Sequence, residues 1–66
     1  MTKQELEKMY KGKTIKILRM EGFEEDNRHY AGKTGVVNYA DDAMGLHGTW
    51  GGLAVLADVD EFTIVE

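Results

Sequence analysis

The chain has no cysteine, no proline, no serine and no lysine or arginine after Lys33. Without cysteine there is neither a disulfide framework nor a thiolate zinc site, one of which small secreted domains usually need. A cytoplasmic location is therefore expected. The lack of serine and cysteine removes the common acyl-transfer nucleophiles, and the threonines have no spacing that announces a base and an orienting acid. Long apolar runs are missing too: none exceeds Leu53 to Ala57, far below the roughly 20 residues that span a bilayer. The segment Met1 to Glu5 has no apolar stretch of the kind that directs export, so neither export nor membrane insertion is expected.

What remains is 66 residues, read as one domain over 1–66. A chain of this size buries only about 60% of its unfolded surface, so its large apolar side chains must share one core and leave little to line a deep cavity. Residues 1–33 hold all eight bases and six acids, whereas residues 34–66 hold six acids and no base, together giving the net charge of −4. That balance disfavours a general phosphate-backbone binder, whose affinity comes from Lys and Arg releasing counterions.

Residues 1–11 read as a short helix. Thr2 is its N-cap with Glu5 closing a capping box, Met1 and Leu6 stand at the staple positions, and Gly12 stops it. Leu6, Met9 and Tyr10 form the docking stripe, and Glu7 can pair with Lys11 one turn on. After Gly12 the period changes, and residues 13–66 read as a barrel. Thr14 to Met20 alternates as a first strand. Glu21 to Gly32 is polar and irregular and is expected to be a long exposed loop. Thr34 to Ala40 makes a second strand and Asp41-Asp42 a turn of left-handed or Asx geometry. Leu46 to Trp50 and Leu53 to Ala57 make a hairpin about Gly51-Gly52, and Phe62 to Val65 follows a tight turn at Asp58-Val59-Asp60. The fold expected is mainly β, a five-stranded SH3-like barrel with a short N-terminal α-helix. An OB-type barrel is the alternative, disfavoured because Gly51-Gly52 leaves no room for its helix. No internal repeat is visible.

Gly32-Lys33-Thr34-Gly35-Val36-Val37 looks like the KOW-type element of small SH3-like domains. Together with Gly12-Lys13-Thr14, Asp41-Asp42, Leu46-His47-Gly48-Thr49-Trp50, Gly51-Gly52-Leu53-Ala54 and Asp60-Glu61-Phe62, it resembles an uncharacterised family of short proteins from Gram-positive bacteria and their phages. The resemblance covers residue 12 onward and departs at Ala57, where that pattern often has proline. It implies an SH3-like fold and a host or phage protein as partner, and carries over no catalytic residue.

The remaining chemistry is sparse. Paired carboxylates occur at Asp41-Asp42 and at Asp58, Asp60 and Glu61, but adjacent acids in turns are solvated rather than tuned for acid–base work. His29 and His47, near Asp26 and Asp42 in sequence, have no metal-ligand spacing, and His47 is placed on the outer face of a strand. No enzyme, metal or cofactor is expected. The aromatics Tyr30, Tyr39 and Trp50, at the ends of the long loop and the hairpins, are the candidate partner-binding residues. Glu24 and Glu25 beside them would favour a basic partner. The function expected is a monomeric, non-enzymatic interaction or accessory module that binds a protein or peptide through barrel loops. The alternative is KOW-like binding of RNA or other nucleic acid through a stripe of Lys11, Lys13, Lys16, Arg19 and Lys33, formed if the first two strands pair.

Overall fold

A computed structural model describes residues 2–22 and 24–65. Helix α1 (Lys3–Tyr10) begins where the capping box predicts. The Thr2 N–H donates to Glu5 Oε1 at 2.8 Å and the Glu5 N–H to Thr2 Oγ1 at 3.2 Å. The Thr2 backbone N–H first, and then the Thr2 hydroxyl, hold the Glu5 carboxyl below its ordinary range. The pairing of Met1 with Leu6 lies outside the described residues. At eight residues, α1 is too short to persist in water undocked. It docks through buried Leu6 and half-buried Tyr10, whereas Met9, expected in the same stripe, is 45% exposed. Glu7 does not pair with Lys11: its Oε2 accepts the Ala40 N–H at 3.1 Å, tying the helix to the end of the second strand.

The strands are β1 (Thr14–Arg19), β2 (Thr34–Ala40), β3 (Gly45–Gly48), β4 (Val55–Leu56) and β5 (Glu61–Ile64). The segment expected to be a long loop contains a second helix, α2 (Glu24–Tyr30), with no fully buried residue. Apolar periodicity could not reveal it. Its charges do fit a helix: Glu24, Glu25 and Asp26 fill the first turn and Arg28 and His29 the last, matching the macrodipole. It is held at its last turns, where Asn27 Oδ1 accepts the Met20 N–H at 2.8 Å and Tyr30 packs on the core.

The two helix–strand units, α1–β1 and α2–β2, are copies of one arrangement, contrary to the expectation that the chain has no repeat. Tyr-x-Gly-Lys-Thr occurs at residues 10–14 and again at 30–34. In both, the glycine after the helix takes a left-handed conformation, with φ of 84° at Gly12 and 90° at Gly32, which closes a helix C-terminus at no Cβ cost. The backbone bonds that join the two units recur 20 positions apart. Gly12 donates to Val37 C=O and Gly32 to Ile17 C=O; Val37 donates to Lys13 C=O and Ile17 to Lys33 C=O. The side chain–backbone bonds follow suit, Glu7 to Ala40 matching Asn27 to Met20. β1 and β2 pair antiparallel with Ile15 opposite Gly35, so a local twofold axis passes between those two residues.

The sheet extends outward from this pair in the order β4-β3-β2-β1-β5, antiparallel throughout. Each central strand carries a register shift against its outer neighbour, between Ile17 and Arg19 on β1 and between Val37 and Tyr39 on β2. These shifts also occupy equivalent positions. The edge strands β4 and β5 are not paired to each other, yet they are joined by the turn at residues 57–60, where the Val59 and Asp60 N–H groups both donate to Leu56 C=O at 3.2 and 2.9 Å. In a flat sheet the edges would lie about 19 Å apart, four interstrand spacings. A turn that coils back on itself cannot cross that gap, so the sheet curls until its edges approach.

The core comprises Leu6, Ile15, Ile17, Met20, Val37, Ala40, Leu46, Trp50 and Val55. Trp50 was expected at the end of a third strand running from Leu46. That strand instead ends at Gly48, and Trp50, 4% exposed, turns its ring into the core. A Cβ on Gly35 would stand 3.0 Å from Trp50 Cε3, and one on Gly48 only 2.3 Å from both Trp50 Cζ3 and the Val36 carbonyl oxygen. The indole thus occupies the space that a side chain opposite Ile15 would have filled. Its Nε1 donates to Leu53 C=O at 2.7 Å, and this bond folds residues 51–54 into a loop and shortens the expected fourth strand to Val55–Leu56. Gly48→Ala is expected to destabilise the protein by about 2 kcal/mol or more, because backbone as well as ring must move. Gly52→Ala, whose Cβ meets nothing within 4 Å, should be close to neutral in the same urea titration.

Candidate functional site

The register shift in β2 decides which aromatic faces outward. Gly35 and Val37 are buried on alternate positions, and strict alternation would send Tyr39 into the core as well. Val37 pairs with Gly48 and Tyr39 with His47, so the extra residue Asn38 forms a bulge. The bulge reverses the facing: Ala40 goes in and Tyr39 comes out, 48% exposed. Its ring lies flat on His47, with centroids 4.6 Å apart and planes 2° from parallel.

His47 is itself fixed at its ring edge. Its Nε2 lies 2.6 Å from Asp41 Oδ2, and Asp41 Oδ1 accepts the N–H groups of Ala43 at 2.9 Å and Gly45 at 2.8 Å. The Asp41 N–H closes the turn on Gly45 C=O at 2.8 Å. This is the Asx geometry that the sequence predicts, with Met44 rather than an aspartate in the left-handed region at φ 64°. The His47 ring first, then the Gly45 and Ala43 N–H groups, hold the Asp41 carboxyl below its ordinary range. The result is a prearranged Tyr39–His47 stack, tied at the imidazole edge to Asp41, with the tyrosine half exposed to solvent. A flat ring with one free face and a carboxylate at its rim suits a cationic or planar group.

The other candidates are distributed differently. Tyr30, the last residue of α2, packs on the core and presents its ring to Gly51, where an added Cβ would sit 3.2 Å from Tyr30 Cε1. Lys33 Nζ lies 5.7 Å from the Tyr30 ring centroid and His29 meets it edge-on at 4.7 Å. Glu24 and Glu25 are exposed on the first turn of α2. Among the described residues no aromatic pairing joins Tyr39 to Tyr30 or Trp50, so the three rings do not form one patch. Trp50 belongs to the core, and only Tyr30 and Tyr39 offer surface.

Lys11, Lys13, Lys16, Arg19 and Lys33 are all exposed, and β1 does pair with β2, placing Lys16 opposite Thr34. Arg19 is ion-paired with Glu21. Of the carboxylates near the last turn, Asp60 is 8% exposed, with Oδ1 accepting the Glu21 N–H at 2.8 Å and Oδ2 the Leu56 N–H at 2.7 Å. Both its oxygens are thus committed to backbone. Among the described residues there is no group of three His, Cys, Asp or Glu arranged to hold a metal ion, and no helix long and apolar enough to cross a membrane.

One feature was not anticipated from the sequence. An open groove runs along β5 between Tyr10 and Leu18, with Phe62, Thr63 and Ile64 as its floor. Tyr10 and Phe62 meet edge-to-face at 5.3 Å. Leu18 is 49% exposed because it occupies the bulge in β1 equivalent to that of Asn38 in β2.

The Asp41 hub gives stability a defined pH response. Its folded carboxyl titrates below the ordinary aspartate range, so its contribution is complete above that range and is lost as the pH falls through the lower folded value. Asp41→Ala is expected to cost about 1–2 kcal/mol at neutral pH. In urea titrations the gap between variant and parent should narrow toward about pH 2. Comparison of the chain with family models, curated protein sequences and solved structures gives no match.

Proposed function

We propose that this protein is a non-enzymatic interaction module of the SH3-like barrel class that binds a protein partner through an extended segment bearing basic side chains. The observation that carries this reading is the Tyr39–His47 stack, a tyrosine face held open by a bulge and fixed by Asp41. It lies in the half of the chain that contains no lysine or arginine. A rigid aromatic with few rotatable bonds provides contact area at small entropic cost, and an arginine or lysine laid over its face gains a cation–π contact on a stack that a carboxylate holds in place. The strand order and the curl of the sheet support the SH3-like assignment. The exposed acids Glu24 and Glu25 on the first turn of α2, the helix that ends in Tyr30, give a second contact for the same kind of partner.

A nucleic-acid reading has one observation in its favour: β1 and β2 pair, and Lys33 sits over the Tyr30 ring. A basic stripe with a stacking ring is the usual platform for single strands. The acidic half of the chain and the pairing of Arg19 with Glu21 weigh against it.

The two separate in a titration followed by amide chemical shifts. An arginine-rich decapeptide is expected to shift resonances of Tyr39, His47 and Tyr30, and Tyr39→Ala should weaken binding by roughly threefold to fivefold. A glutamate-rich peptide should leave the spectrum unchanged. If single-stranded RNA instead binds with steep salt dependence that Lys13→Glu with Lys16→Glu removes, the module reading is wrong.

A further inference from the structure

We infer that β5 is a self-association edge, through which two copies of this chain pair antiparallel about Thr63 and join their sheets. The two edges of the sheet are treated differently by the sequence. β4 is only two residues long, which is one way an edge is kept from templating another strand. β5 is four residues long, begins with its single charge at Glu61, and carries neither lysine nor proline. In the duplicated architecture β3 lies outside β2 and is paired with β4, while β5 lies outside β1 and, among the described residues, no strand pairs with its outer side. The open groove follows this uncovered side.

The register shows which backbone groups are available. Val65 donates to Thr14 C=O, and Ile15 pairs with Ile64, Lys16 with Thr63 and Ile17 with Phe62. Along an antiparallel ladder the hydrogen-bonding direction alternates, so the backbone of Thr63 and Val65 points at β1 and that of Phe62 and Ile64 points outward. Ile17 agrees, since its own N–H and C=O are engaged on the opposite side with Lys33 and Gly32.

A second copy fits those outward groups. With the twofold axis at Thr63, Phe62 of each chain falls opposite Ile64 of the other as a hydrogen-bonded pair, giving four backbone bonds in all. Phe62 against Ile64 is an aromatic–β-branched pair and Thr63 against Thr63 a threonine pair, both favourable across strands. Glu61 falls opposite Val65, so no like charges meet along Glu61–Val65. The contact would cover Ile64 and Val65, 44% and 46% exposed in the single chain. Segment Glu61-Phe62-Thr63-Ile64-Val65 is therefore self-complementary, as an isologous interface requires. Such a dimer would depart from the monomer expected from the sequence.

Sedimentation equilibrium across a concentration series up to millimolar tests the inference, with circular dichroism confirming that each variant is folded. The parent chain is expected to form a dimer as concentration rises. Thr63→Glu faces Lys16 within its own chain, which supports the fold, but sets two carboxylates against each other across the axis. Its dimer dissociation constant should rise roughly fivefold or more. Thr63→Lys should also impair self-association, and an equimolar mixture of the two variants should recover it. A parent chain that stays monomeric throughout overturns the inference. So does a Thr63→Glu chain that dimerises as tightly as the parent, or a mixture of the two variants that fails to associate.

Discussion

The antiparallel meeting of β1 and β2 at Ile15 and Gly35 is the contact from which the rest of the structure is organised. About that point the helix C-terminal glycines, the carbonyls that receive them, the side-chain oxygens that latch strand to helix, and the two bulges all recur at matched positions. A chain too short for a large core obtains its order by solving one helix–strand junction and using it twice. The symmetry is broken at its own axis: Ile15 has a side chain and Gly35 has none. Trp50 enters from β3 to occupy the difference and, through its indole N–H, shapes the loop that leads into β4.

The two halves differ in what they face. In α1, Leu6 is buried beneath the curled sheet; the corresponding position in α2 is Asp26, and that helix has no fully buried residue. The bulges differ in the same sense. The one in β1 exposes Leu18 beside an uncovered strand, and the one in β2 turns Tyr39 out over His47. One backbone device, placed twice, thus creates an apolar surface on one side of the molecule and an aromatic, acidic surface on the other.

How much of this could be read from the letters depends on whether the cause was local. The capping box of α1, the alternation of Ile15 and Ile17 and the Asx turn at Asp41 are properties of neighbouring residues, and the structure has them where expected. α2 escaped because its residues are polar all round. Its helical signals were the end charges and Gly32, which follows Tyr30 as Gly12, read as the stop of α1, follows Tyr10. The outward turn of Tyr39 could not be read, since a bulge belongs to the pairing of two strands and not to either strand alone. Trp50 looked like a strand residue because the alternation of Leu46 to Thr49 ran straight into it; the glycines that admit its ring were visible, but their proximity was not.

The buried Asp60 links three segments by accepting one N–H on each oxygen, from Glu21 and from Leu56. An amide of the same shape has only one accepting atom and would turn a donor toward a donor. Acceptor valence, rather than charge, is what that position requires, and a carboxylate is the smallest group that supplies it twice. The same holds at Asp41, which satisfies three donors. Part of the net negative charge of this chain is therefore a by-product of its brevity: where a longer protein would bring up another stretch of backbone to receive these N–H groups, this one brings up an acid.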